Sequence, residues 1–221
     1  MKLYSVDLST FSAKVRMQVY AKGLDQIEVV APVGFLTPLF ERPTPMGKIP
    51  VLKLDDGDTI PESDAIAAYL EETFPTPTLL GDTPRQSAEV RTLARMTDAY
   101  IITSMFNITG GRGMPLTEGP VYEMMTANLL RGFAAIDETL DGQDGYACLG
   151  RLTLADCALV PALFMVSTVL PFVGTPDPIP ASRKIAGYWT TIQRQPAAAR
   201  VLSEMRKGLE ARRTAVQAAS G

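Results

Sequence analysis

Between Gly47 and Glu72 the chain carries two different ways of holding a small, peptide-like anion. The first is Ile49-Pro50, placed ahead of the apolar run Val51-Leu52-Lys53-Leu54. A cis bond before Pro50 would mark a tight turn. It would also face the Ile49 main chain outward, where its N–H and C=O could pair with an extended ligand as an added strand does. The base rate for X-Pro bonds favours the alternative, a trans proline that begins a strand. The second is Pro61 followed by Glu62-Ser63-Asp64, behind which Ile66, Ala67, Tyr69, Leu70 and Phe74 recur at helical spacing. The first N–H groups of that helix have no intrahelical partner, and with the helix dipole they attract a carboxylate. The Ser63 hydroxyl can donate to the same carboxylate while Glu62 accepts from an ammonium, so an α-amino-acid head group suits the pair. Capping by Ser63 or Asp64, with no ligand, is the competing use of these residues.

The elements that must position these groups read as two successive units. Lys2 to Ser5 predicts a strand, Asp7 to Ser12 a polar loop, and Val15, Met17, Val19 and Tyr20 a helix ending at Gly23. Ser12 reads as that helix's N-cap. Gln26 to Val30 is β-prone, and the proline-rich stretch from Pro32 to Met46 reads as irregular. With the two strands around Asp55-Asp56-Gly57-Asp58 and the helix after Pro61, the order is β-α-β then β-β-α, an α/β layer unit over 1–76. Residues 77–84 read as a linker, and from Arg85 the pattern is helical: near 85–109, 119–141, from Thr153, 181–194 and 197–209. Thr153 and Asp156 have the spacing of a capping box. Pro161 should kink its helix. The helical unit spans 85–213, and the small polar tail 214–221 should fray.

Composition narrows the chemistry. The 221 residues are 46% hydrophobic, enough for a substantial core. The net charge of −3 argues against a nucleic-acid surface. No apolar stretch is expected to reach membrane-spanning length, and no basic-then-apolar leader opens the chain, so the expected location is the cytoplasm. There is no histidine, which excludes Ser-His-Asp and Cys-His catalysis and histidine-based metal sites; no metal is expected. Cys148 and Cys157 make no disulfide framework, and Cys157 fits a buried, inert helix position.

In order and spacing, Leu3-Tyr4-Ser5, Ser9-Thr10-Phe11-Ser12 with Lys14-Val15-Arg16, Pro45-Met46-Gly47-Lys48-Ile49-Pro50-Val51-Leu52, Glu62-Ser63-Asp64-Ala65-Ile66 and Leu152-Thr153-Leu154-Ala155-Asp156 resemble the cytosolic glutathione transferases over nearly the whole chain. Within that family the chain is similar to bacterial, Ser-type members, with partial zeta-, theta- and tau-like character. The resemblance implies an N-terminal α/β thioredoxin-like domain, an all-α C-terminal helical domain, a homodimer and a cis Pro50. It implies that Ile49 pairs with the cysteinyl unit of glutathione, the co-substrate, and that Glu62 and Ser63 hold the γ-glutamyl head. Lys48 is a candidate for a ligand carboxylate, or a solvated loop lysine.

The reactive atom would be the glutathione sulfur. A free thiol near pKa 8.5 is about a few per cent ionised at neutral pH. A hydrogen bond donated to the thiolate contributes about 1.5–3 kcal/mol, which is about one to two pKa units. One loop hydroxyl is therefore sufficient machinery. By similarity Ser9 is the first candidate, Thr10 the second, and Ser12 and Tyr4 follow. The loop lacks cysteine, which disfavours a mixed-disulfide mechanism there. The acceptor pocket implied by the resemblance draws on Val6 and Leu8 and on the helix with Tyr100, Ile101, Met105 and Phe106; Arg112 reads as surface or as a contact to an acidic substrate. The expected activity is addition of the thiolate to a small apolar or aromatic electrophile. A glutathione-dependent isomerase or lyase is the alternative, although Phe11 stands where the zeta pattern has cysteine and Ala13 where it has an aromatic residue. A non-catalytic glutathione-binding role is the third reading.

Overall fold

A computed structural model describes residues 1–34, 44, 46–110 and 114–220, with side chains through 218. Most of the proline-rich stretch and Arg112 lie outside the described residues. The chain divides into two compact units, residues 1–78 with 196–221, and residues 79–195.

The first unit is built on a four-stranded sheet in the order β2-β1-β3-β4. Its strands are β1 (Lys2–Tyr4), β2 (Glu28–Val30), β3 (Val51–Lys53) and β4 (Thr59–Pro61). β1 pairs parallel with β2, Leu3 opposite Val29, and antiparallel with β3, Leu3 opposite Leu52; β3 and β4 form the expected hairpin, Leu52 opposite Ile60. A parallel pair needs a crossover, here α1 (Thr10–Ala21). Together with α2 (Ser63–Thr73) it closes a core of Leu3, Val15, Val19, Leu24, Ile27, Leu52, Ile66 and Leu70.

Residues 13–19 of α1 are all buried, and Lys14, Arg16 and Gln18 alternate there with the apolar Ala13, Val15, Met17 and Val19. Burying a charge is tolerated when it is paired and hydrogen-bonded. Lys14 meets Asp64, Arg16 meets Glu204, and Lys22 meets Glu71 at 3.0 Å. Gln18 donates to the Ala67 carbonyl and to Glu71. Glu204 belongs to α8 (Pro196–Ser220), which packs within this first unit, whereas the sequence reading grouped it with the helical segment 85–213. The helix also runs on past Arg213, where fraying was expected. Ala211, Ala215, Ala218 and Ala219 favour continuation, alanine being the strongest helix former.

The second unit is helical: α3 (Pro84–Met96), a π-helical segment (Thr97–Ile102), α4 (Thr103–Ile108), α5 (Pro120–Thr139), α6 (Leu154–Val169) and α7 (Arg183–Ile192). Gly132 of α5 lies so close to the π-helical segment that a Cβ there would stand 2.5 Å from the Tyr100 Cβ. Contrary to the sequence reading, Leu154–Val173 is long and apolar enough to cross a membrane by length and composition, with mean hydropathy 1.9. It is 67% buried in the fold, as suits a central core helix. Asp156 reaches back to the Thr153 N–H at 2.8 Å, as its spacing predicted. Cys148 and Cys157 are both buried and unbridged, and burial pushes the Cys148 thiol up to about 11.

Candidate functional site

In the first unit, the loop after β1 and the segment from Gly47 to Ser63 carry the groups singled out above. The loop ends at Ser9, which is the N-cap of α1; the expectation of Ser12 in that role is corrected. The helix starts three residues earlier than read, and the Ser9 Oγ accepts from the Ser12 N–H at 3.3 Å. The hydroxyl of Ser12 itself is fully buried and has no hydrogen-bond partner among the described residues. Ser9 is half-buried, and one of its lone pairs serves the helix, so its proton is available to a further acceptor. Thr10 follows at the first helical position and is buried, 7% exposed. Tyr4, on β1, is half-buried, as are Val6 and Leu8.

The Ile49–Pro50 bond is cis, as the resemblance implied, and Thr76–Pro77 is a second cis bond that nothing in the sequence reading anticipated. Pro50 is buried, Ile49 half-buried and Lys48 exposed. Among the described residues, the Ile49 main chain has no hydrogen-bond partner.

At α2 the N-cap is Glu62, and neither Ser63 nor Asp64 caps the helix. Glu62 holds φ at +68°, a region that costs a non-glycine residue about 1–3 kcal/mol and clusters at ligand sites. No side chain caps the exposed helix start, while Ser63 sits at its first position, 6% exposed. The only carboxylate in the first turn, Asp64, is paired with Lys14 of α1. This start can therefore receive an anion with N–H groups, a hydroxyl and the helix dipole together.

Sequence reasoning noted Lys14 and Arg16 without giving them work. The Arg16 guanidinium, 1% exposed, donates from Nε to Glu204 at 2.8 Å, from Nη1 to the Ser5 hydroxyl and to the Val6 carbonyl at 2.9 Å, and from Nη2 to the Asp7 carbonyl at 2.8 Å. Tyr20 donates to the other oxygen of Glu204 at 2.8 Å, and Arg200 lies over the Tyr20 ring at 3.7 Å. Burial and the Glu204 contact push the Tyr20 phenol up to about 12, so it stays a donor at neutral pH. A signal for this network was present, since two cations inside an unbroken run of buried helix must have partners.

In the second unit, Tyr100 is 39% exposed on the π-helical segment. Met105 is buried at 2% exposure in that unit's core, while its neighbour Phe106 is 53% exposed.

Residues 3–78 match the N-terminal domain and residues 119–188 the C-terminal domain of glutathione S-transferase. A maleylacetoacetate isomerase of Pseudomonas aeruginosa is 32% identical over 74% of this chain and 80% of its own. A zeta-class glutathione S-transferase of Euphorbia esula is 32% identical over 76% of each chain. The solved glutathione S-transferase of Methylobacillus flagellatus, with glutathione bound, superposes with a TM-score of 0.79 at 22% identity, covering 90% of this chain and 98% of that one.

Proposed function

The chain belongs to the glutathione S-transferase family, and from that premise we propose that it is a glutathione-dependent isomerase of a small unsaturated acid, with Ser9 keeping the glutathione sulfur ionised. The observation that carries this reading is the state of Ser9. Its oxygen accepts from the Ser12 N–H, so its proton is left to donate to a thiolate at the start of α1. The carbonyl and N–H of Ile49 would pair with the cysteinyl unit, and Glu62 and Ser63 would hold the γ-glutamyl head at the uncapped start of α2. Lys48 is exposed and would meet a ligand carboxylate. Val6, Leu8, Tyr100 and Met105 remain the proposed acceptor-side residues, Met105 from within the core. The assembly is proposed to be a homodimer.

In the reaction, the thiolate adds to one alkene carbon of a maleyl-type substrate, forming a C–S bond while the π electrons move onto the conjugated carbonyl. Rotation about the resulting single bond follows. The enolate then expels the sulfur, restoring the alkene in the trans form and the thiolate unchanged. No proton must be supplied by histidine, consistent with a chain that has none. Support for an isomerase comes from the maleylacetoacetate isomerases among its relatives.

Net conjugation, in which the thioether is the product, is the second reading. Phe11 and Ala13 favour it, because they depart from the zeta pattern in the first turn of α1, directly after Ser9. Product analysis separates the two: an isomerase returns free glutathione and a transferase consumes it. The test of Ser9 is Ser9→Ala, read by the ultraviolet absorbance of bound thiolate against pH. Loss of a hydrogen bond to the anion raises the thiol pKa by about one to two units. An unchanged titration would remove Ser9 from the role and leave Thr10.

A further inference from the structure

The side of α8 that faces the first loop carries two features that neither the core nor the ligand reading requires. Glu204 binds the Arg16 Nε at 2.8 Å, and the same guanidinium holds the carbonyls of Val6 and Asp7. The Val6 carbonyl is also the acceptor of the Ser9 N–H, at 3.1 Å. One turn further along α8, Gly208 lies against the loop itself. A Cβ there would stand 2.8 Å from the Leu8 nitrogen and 2.9 Å from the Asp7 Cβ, closer than side chains approach without something shifting. Glycine inside a helix is disfavoured relative to alanine, so its presence is explained by the close approach.

We propose that the C-terminal helix α8 is the positioning element for Ser9: Glu204 fixes Arg16, Arg16 fixes the carbonyl that anchors the Ser9 main chain, and Gly208 lets the helix seat Leu8. The proposal rests on the reading of Ser9 as the thiolate donor and deepens it. Glu204 and Gly208 touch no reacting atom; they act through the loop. Arg16 presents a rigid fork of donors, so the Val6 and Asp7 carbonyls are held in one relative geometry. A hydrogen bond to an anion depends steeply on where the donor stands, and small displacements of a positioned group carry large rate costs.

The test uses the whole chain with glutathione. Gly208→Ala should raise the bound thiol's pKa and lower turnover at neutral pH about ten- to a hundredfold. The KM for glutathione should hold within about twofold, since its main anchors are Ile49 and Ser63. Alanine favours the helix, so lost activity with retained thermal stability distinguishes displacement of the loop from unfolding. Glu204→Gln, which keeps the side chain's shape and weakens its hold on Arg16, should shift the same titration in the same direction. Gly187→Ala, where an added Cβ meets nothing within 4 Å, is the control and should change neither readout. If Ser9→Ala shifts the thiol titration while Gly208→Ala and Glu204→Gln both leave it in place, the positioning role of α8 is refuted and the Ser9 reading stands. If Ser9→Ala itself shifts nothing, the Ser9 reading falls and this inference with it.

Discussion

Replacing Asp156 with asparagine should cost the helical unit more at acid pH than at neutral pH, the reverse of the usual behaviour of a paired carboxylate. Asp156 is buried, and its Oδ1 accepts from the Ala147 N–H at 2.9 Å and the Tyr188 hydroxyl at 3.2 Å. Its Oδ2 accepts from the Thr153 N–H at 2.8 Å and the Thr153 hydroxyl at 3.0 Å. These contacts favour the anion, yet desolvation outweighs them and the carboxyl is pushed up from 3.8 to about 6. The native state therefore binds the proton more tightly than the unfolded chain. Between those two values folding takes up a proton, so the contribution of Asp156 to stability is full below 3.8 and is lost as the pH rises through about 6. A shift of about two units corresponds to about 3 kcal/mol. Asparagine does not titrate. The difference in unfolding free energy between the wild type and Asp156→Asn should thus shrink by about 3 kcal/mol from pH 3 to pH 7. Urea unfolding of both proteins across that range measures it, and the titrations of all other carboxylates cancel in the difference. A penalty that is flat, or that grows with pH, would refute the claim that burial dominates this site.

Four other outcomes are expected. Ser63→Ala should weaken glutathione binding by about tenfold or more, the loss of one hydrogen bond to a charged group, read by calorimetry. Asp64→Ala removes one ion-pair partner of buried Lys14 and the link from α1 to α2, and should destabilise the first unit by about 1 kcal/mol in urea. Gly132→Ala should cost about 1–3 kcal/mol by forcing α5 off Tyr100, measured in the same way. Ser9→Ala should move the bound thiol's titration upward without changing urea stability by more than about 2 kcal/mol, the upper cost of losing an N-cap.

The α/β-then-helical order was legible because its patterns have the right periods. Strands around Leu3, Val29, Leu52 and Ile60 are short and β-prone, and the helices after Arg85 repeat at helical spacing. The start of α1 was misread, whereas Pro61 and Glu62-Ser63-Asp64 marked the start of α2 where it stands. In Ser9-Thr10-Phe11-Ser12 both serines are good N-caps, and only the direction of the chain leaving β1 decides between them. At α2 the N-cap is Glu62, which makes no side-chain capping bond and takes a positive φ that its residue type does not advertise. The place of α8 was hidden by sequence adjacency: it follows the helical unit in the chain but returns to the first unit in space. Its partner follows only from the structure: Arg16 is buried at 1% exposure, and a buried guanidinium needs a carboxylate, which Glu204 supplies.

Lys14 and Asp64 bear on how a chain without histidine would hold the two anionic groups of the proposed ligand. The start of α1 has no acidic residue in its first turn, and the start of α2 has only Asp64. That carboxylate would compete with a bound anion for the positive end of the helix, equivalent to about half a unit charge. Pairing it with Lys14 offsets the competition and at the same time links α1 to the first turn of α2. Hydroxyls, main-chain N–H groups and helix ends do not titrate near neutrality, whereas an imidazole would. The pH response of the proposed site would then be set by the ligand's own thiol, and Ser9, as the proposed donor, would lower that thiol's pKa without adding an ionisation of its own.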